Sequence, residues 1–222
     1  MCGRFTITLS KEALKDYVDK KYNKPLMKDV YKGPNYNCAP GMDILSVIYD
    51  GKKHRIGLLN WGFKPDFMPH DKVGIINAKA ETLFKLPSFK SSALKRRCLI
   101  LSDGFYEWKK DDKTPLRILT DGSLFAMAGI WNTYHGENGI THTVAIITTE
   151  ANEFVSNIHE RMPVILDDKE QQLWLNNDTP MYQLMDLLKP YEGHMRAYEV
   201  SRRVGNVKNN DPSLIKDIHE AS

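Results

Sequence analysis

The chain has 222 residues, 41% of them hydrophobic and 27% charged, with a formal net charge of +3. This is the balance of a globular domain large enough to bury its own core. No apolar run approaches the roughly 18 residues of a membrane span, and no signal-type apolar segment follows the start, so a cytoplasmic location is expected. The mild positive balance permits a polyanionic partner without requiring one.

Alternation over Arg4-Phe5-Thr6-Ile7-Thr8 predicts a strand. Ser10 then caps a helix through about Lys20 with Ala13, Leu14, Tyr17 and Val18 on one face. Residues 23–43, including YNCAPGM, read as an ordered loop. ILSVIYD-GKK-HRIGLLNWGF reads as a hairpin turned at Asp50-Gly51. WGFKPDFMPH is a second loop, VGIINAKAETLF a strand end feeding a short helix, and weak helical spacing continues to Arg97. Strands follow in CLILS, FYEWKK, LRILT, SLFAMAGIW and TVAIITT, with turns at Asp111-Asp112, Asp121-Gly122 and Asn138-Gly139. ANEFVSNIHE makes a turn or two of helix before the strand MPVIL. Asp167 and Glu170 form a capping box for a helix to Leu175, and Thr179-Pro180 opens another to Leu188. MRAYEVS is a late strand, and from Arg202 the chain reads as a polar, basic loop, with a tail from about residue 211. Strands in runs, without βαβ alternation, predict an α+β single domain (residues 1–222) on a curved, largely antiparallel, barrel-like sheet with peripheral helices.

The three cysteines, Cys2, Cys38 and Cys98, are too widely spaced for a disulfide framework or a CxxC metal site. The seven histidines (54, 70, 135, 142, 159, 194 and 219) make no HxxxH or HExxH pattern. A reduced compartment, no metal and no cofactor are therefore expected.

Four places hold residues suited to chemistry, each with a plainer reading beside it. Cys2 is either the first apolar residue of a strand or, once Met1 is removed, a 1,2-aminothiol. In the second case its amine attacks an aldehyde to give an imine, and its thiol closes on the imine carbon as a thiazolidine. Asn77 and Lys79 in INAKAETLF suit orientation of a nucleophile and a phosphate contact, or a helix N-cap with a solvated charge. Glu107, between Tyr106 and Trp108, points away from both; enclosed, it suits proton transfer, and on the surface it pairs with Lys109 or Lys110. His159 sits where a helical turn meets a buried strand, with Arg161 placed for a bidentate phosphate contact; the alternative is a structural histidine beside a surface arginine.

In order, MCGRF, NCAPG (37–41), WGF (61–63), NAKAET (77–82), CLILSDGFYEW (98–108) and HERMPVIL (159–166) resemble the SOS response-associated peptidase (SRAP) family from residue 2 to about 210. The resemblance implies an α+β barrel-like fold and removal of Met1, by autocatalytic peptidase action or by an aminopeptidase. It also implies covalent capture of abasic sites in single-stranded DNA as a thiazolidine, by a monomer that associates with the nucleoid and acts in the DNA damage response. Cys2 then matches the crosslinking nucleophile, Asn77 the residue that positions the N-terminus and sugar, Glu107 the proton-transfer carboxylate and His159 the acid for sugar ring opening. Arg4, Asn37, Pro40, Trp61, Lys79, Thr149 and Arg161 resemble the DNA-lining set, with Trp61 and Pro40 as apolar faces against bases. Lys79 departs from the family's usual arginine, which keeps the charge but not a bidentate grip. Two other readings use the same residues: an N-terminal-nucleophile cysteine amidase or protease, and a non-covalent reader of single strands or modified bases.

Overall fold

The alternation behind the N-terminus forms the strand Phe5–Ile7 (β1), and Ser10 Oγ accepts from Ala13 N (3.1 Å) to start the helix Lys11–Lys21 (α1). The computed structural model describes residues 2–27, 30–69, 71–137 and 139–220; Met1 and the first residue of the expected Asn138-Gly139 turn lie outside them. Leu14 and Val18 of α1 are buried, while Ala13 is exposed. The loop expected over 23–43 is shorter than its composition suggests. It contributes Leu26–Met27 (β2) and Asn35–Cys38 (β3), both held by pairing to strands distant in sequence. The hairpin is present as Asp43–Tyr49 (β4) and His54–Trp61 (β5), with the Asp50 carboxylate accepting from Lys52 N and Lys53 N across the turn.

Asn77–Lys79 (β6) leads through a single 3-10 turn and the helix Pro87–Lys95 (α2) into Arg97–Ser102 (β7). Gly104–Trp108 (β8), Pro115–Thr120 (β9), Phe125–Gly136 (β10) and Gly139–Glu150 (β11) follow. The short helix Glu153–Ser156 (α3) precedes Arg161–Pro163 (β12) and Ile165–Leu166 (β13). The capping box at Asp167 opens Asp168–Leu175 (α4); then come Met181–Asp186 (α5) and Met195–Glu199 (β14).

The fold is α+β and barrel-like. β11, β10, β7, β4 and β5 pair antiparallel in that order, and a parallel contact of Thr143 and Val144 with Asn60 and Trp61 brings β5 back to β11, closing a five-stranded ring. β12, β13, β6 and β2 extend it. A second, wholly antiparallel sheet runs β14-β9-β8-β1-β3. Leu99, Ile100, Ala128, Ile130, Val144 and Ile146 are wholly buried, so the ring is packed with side chains and is no channel.

The C-terminal stretch differs from the expected loose tail. Residues Arg202–Gly205 and Pro212–Ile215 form 3-10 turns, and Val204 and Leu214 are wholly buried. They form a separate small core with Tyr106 and Val200 on the outer face of the second sheet. Polar hooks fasten this strap: Tyr106 Oη donates to Leu214 O (3.4 Å), Tyr198 Oη to Ile215 O (2.8 Å), and Asn210 Oδ1 accepts from Tyr36 N (2.7 Å).

Candidate active site

Cys2 is wholly buried. It precedes β1, whose register with β8 pairs Phe5 with Phe105 and Thr6 with Gly104. Tyr106 N donates to Arg4 O (2.9 Å), which carries the register one step further, to Arg4 opposite Tyr106, the neighbour of Glu107. Burial pushes the Cys2 thiol well above its ordinary range; the Glu107 carboxylate adds to this, and the Arg4 backbone N–H opposes it. The resting sulfur is therefore a protonated thiol. Thiol and carboxylate lie within electrostatic reach of one another.

Glu107 is 2% exposed, and burial pushes its carboxyl from 4.5 up to about 7. Enclosure, the condition set for proton transfer, is met. A carboxyl poised near neutrality both gives and takes protons at physiological pH.

Asn77 reaches the same point from the other sheet. Its Nδ2 donates to Cys2 O (3.0 Å), and its buried Oδ1 has no hydrogen-bond partner among the described residues. The approach is built by two glycines. Phe63 and Ile75 exchange backbone hydrogen bonds (2.9 and 2.8 Å), bringing Gly74 so close to Gly62 that a Cβ on Gly74 would sit 2.0 Å from the Gly62 carbonyl oxygen. That contact delivers β6 alongside β11, where Asn77 pairs with Ile146 and Lys79 with Thr148. Asn77 is thus a strand residue aimed at the N-terminus and no helix cap.

His159 follows α3, and its Nδ1 accepts from Arg161 N (3.0 Å), which leaves the proton of the neutral ring on Nε2. Burial lowers its basicity, and the charge of Lys110, just past the end of β8, lowers it further.

Strand pairing sorts the remaining residues. Paired residues in a sheet share a face, and alternate residues return to it. Thr148 pairs with Lys79 on one side and Pro163 on the other, and Glu150 with Arg161. Asn77, Lys79, Thr148 and Arg161 therefore share one face. The Arg161 guanidinium forks onto the Glu81 carboxylate (2.6 and 3.0 Å) and donates to Thr148 O (2.7 Å). That pairing holds the Glu81 carboxyl below its ordinary range.

Three of the expected DNA-lining residues are elsewhere. Trp61 is wholly buried with Nε1 donating to Ile76 O (2.9 Å), so it has no face for a base and instead braces the strand leading to Asn77. Asn37 is wholly buried, its Nδ2 donating to the carbonyls of Val204, Asn206 and Asn209 (3.2, 3.1 and 3.0 Å), so it holds the strap. Thr149 points to the opposite face from Thr148, 5% exposed, with its hydroxyl donating to Leu188 O (3.5 Å). Arg4 is half-buried and also donates to strap carbonyls, those of Val204 (3.0 Å) and Gly205 (3.5 Å). Pro40 and Lys79 are exposed.

The sequence reading missed Thr148, Glu81 and Phe67. The Thr148 hydroxyl is buried without a hydrogen-bond partner among the described residues, on the face shared with Asn77. Phe67 is 72% exposed, six residues beyond the buried Trp61. Among the described residues no group of three or more His, Cys, Asp or Glu side chains is placed to hold a metal.

Fold and site together define a class: barrel-like α+β proteins that enclose a second-position cysteine with an amide and a carboxyl. The chain belongs to the SOS response associated peptidase (SRAP) family, whose model matches residues 1–207. It is 43% identical over 97% of its length to the abasic site processing protein YoqW of Bacillus subtilis, of which the match covers 99%. It is 28% identical to the abasic site processing protein YedK of Escherichia coli, over 98% of this chain and 100% of that protein. The match to the abasic site processing protein HMCES of Gallus gallus is 29% identical, over 98% of this chain and 78% of that one. A crystal structure of a protein from Bacteroides thetaiotaomicron superposes with a TM-score of 0.85 at 25% identity, covering 97% of this chain and 99% of that one.

Proposed function

We propose that this protein processes abasic sites in single-stranded DNA by capturing them covalently at Cys2. Hydrolysis of the Met1–Cys2 peptide frees the Cys2 amine, making removal of Met1, by the protein itself or by an aminopeptidase, the arming step. Protonated His159 gives a proton to the ring oxygen of the sugar as its bond to the anomeric carbon breaks, and the anomeric hydroxyl releases its proton to water as the aldehyde forms. The amine adds to the aldehyde carbon, Glu107 carries the two protons of the nitrogen in turn to the departing oxygen, and water leaves to give an imine. The sulfur then bonds to the imine carbon and its proton passes to nitrogen, closing a thiazolidine with no oxidant or reductant. An imine left open invites elimination and strand cleavage; ring closure removes that path and shields the site.

The observation that carries this reading is the meeting at Cys2 of Asn77 and a carboxyl poised near pH 7. The protonated resting thiol favours attack by the amine first and sulfur second. Exposed Lys79, Pro40 and Phe67 supply charge and apolar surface for a single strand, a combination tolerant of sequence. The relatives named as abasic site processing proteins span almost the whole chain.

The test incubates the mature protein with an oligonucleotide carrying one abasic site and resolves the products on a denaturing gel. A heat-stable shifted band from wild type that is absent in Cys2→Ser is expected. Equally stable adducts from Cys2→Ser, or peptide cleavage with no adduct, overturn the reading in favour of another nucleophile or an amidase. A shift seen only on a native gel marks a non-covalent reader.

A further inference from the structure

A buried ion pair lies behind β1, away from the reacting groups. Asp103 Oδ1 accepts from Arg117 Nη2 (3.1 Å), and both side chains are 7% exposed. The carboxylate is saturated by β1 and the residue after it: Oδ1 also accepts from Thr6 Oγ1 (2.5 Å), and Oδ2 from Thr8 N and Thr8 Oγ1 (both 2.6 Å). Arg117 Nη2 donates to Thr6 Oγ1 (3.1 Å) and Nη1 to Tyr198 Oη (2.9 Å), which in turn holds the strap. Gly104 makes room, since a Cβ there would lie 2.8 Å from Arg117 Nε.

A buried ion pair is often no more stabilising than well-packed apolar residues of the same volume, and in some folds its use is to specify one arrangement. The arrangement specified here is register. β1 is a three-residue strand, and a slip of one residue against β8 would turn every side chain to the other face. The pairing that Asp103 locks at Thr6 is the pairing that continues to Arg4 opposite Tyr106, one residue short of Glu107 on β8 and two residues from Cys2. Cys2 itself has left the strand, so its distance from Glu107 is inherited from this anchor and from Asn77.

We infer that Asp103, with Arg117, is a positioning residue: it fixes the register of β1 on β8 and thereby holds the Cys2 nucleophile against Glu107. The inference rests on the covalent reading of Cys2 and Glu107, and its test separates the two.

Single-turnover adduct formation is followed across pH at saturating abasic oligonucleotide, alongside equilibrium binding to the same strand carrying a tetrahydrofuran analogue that cannot open. Asp103→Asn keeps the shape and removes the charge. Its maximal rate is expected to fall by about tenfold or more, as misplacement of reacting groups does, while binding of the analogue stays within about twofold. The acid limb of its pH–rate profile is expected to move towards lower pH, because a Glu107 less tightly enclosed ionises more readily. Arg117→Lys keeps the charge with fewer contacts and is expected to fall between wild type and Asp103→Asn; if Asp103→Asn does not fold, Arg117→Lys carries the test. A folded variant with unchanged rate and pH profile overturns the positioning role, as does a fall in rate matched by the fall in binding. Absence of any adduct from wild type overturns the function instead.

Discussion

Replacing Glu107 by glutamine reads the enclosure of the site through stability. In the unfolded chain this carboxyl ionises at its ordinary 4.5, whereas burial in the fold raises it to about 7. Between those values the folded state holds a proton that the unfolded state has released, so stability falls as pH rises across the window. Above it the ionised carboxylate costs about 3 kcal/mol, taking about 1.36 kcal/mol for each pH unit between the two values. Glu107→Gln keeps the shape and removes the titration. Urea or thermal unfolding from about pH 4 to pH 8.5 should find variant and wild type alike at the acid end. The variant should lead by about 3 kcal/mol above pH 7.5, or about 6–12 °C in Tm for a chain of this size. The same variant should lose adduct formation. A difference that does not change with pH, or none at pH 8, refutes the desolvated carboxyl.

Gly74→Ala should set a Cβ against the Gly62 backbone and break the exchange of hydrogen bonds between Phe63 and Ile75. A loss of about 2–4 kcal/mol is expected, with adduct formation lost beyond what stability accounts for because Asn77 lies three residues on; a melt and rate like wild type would show the contact yields freely. Leu214→Ala, in the C-terminal strap, should cost about 2–4 kcal/mol in urea unfolding, the range for a buried leucine, whereas a change under about 0.5 kcal/mol would mean the strap is not docked.

What the sequence disclosed and what it hid divide along physical lines. Local rules were legible: the Ser10 cap, the Asp167–Glu170 box and the Asp50-Gly51 turn depend only on near neighbours. Runs of strand residues announced an antiparallel, barrel-like α+β fold. Closure of the ring through a parallel contact between β5 and β11 was hidden, because such pairing joins residues more than eighty positions apart and leaves no local pattern. The quartet Cys2, Asn77, Glu107 and His159 was proposed from its motifs; the structure brings Asn77 and Glu107 to Cys2, and the face assignments around them left no mark in the sequence. Residues Thr143 to Thr149 are all buried, so β11 has no polar alternation to tell Thr148 from Thr149. Trp61 looked like a stacking surface because tryptophan is large and apolar, the same properties that bury it beneath Ile76. Asn37 and the strap share one explanation: a polar segment docks through hydrogen bonds to carbonyls, which hydropathy does not register.

The burial of Cys2 also bears on how long the protein stays usable. Peroxide and alkylating agents consume thiolates that solvent can reach, and this sulfur is protonated and walled in. The oxidative and alkylating conditions that strip bases from DNA are those that would spoil an exposed cysteine. Under the proposed function, enclosure separates the two fates: small electrophiles in solution find a poor nucleophile, while an aldehyde held in place on a bound strand would meet amine, carboxyl and sulfur together. Chemical selectivity of this kind would come from access to the sulfur, not from its intrinsic reactivity.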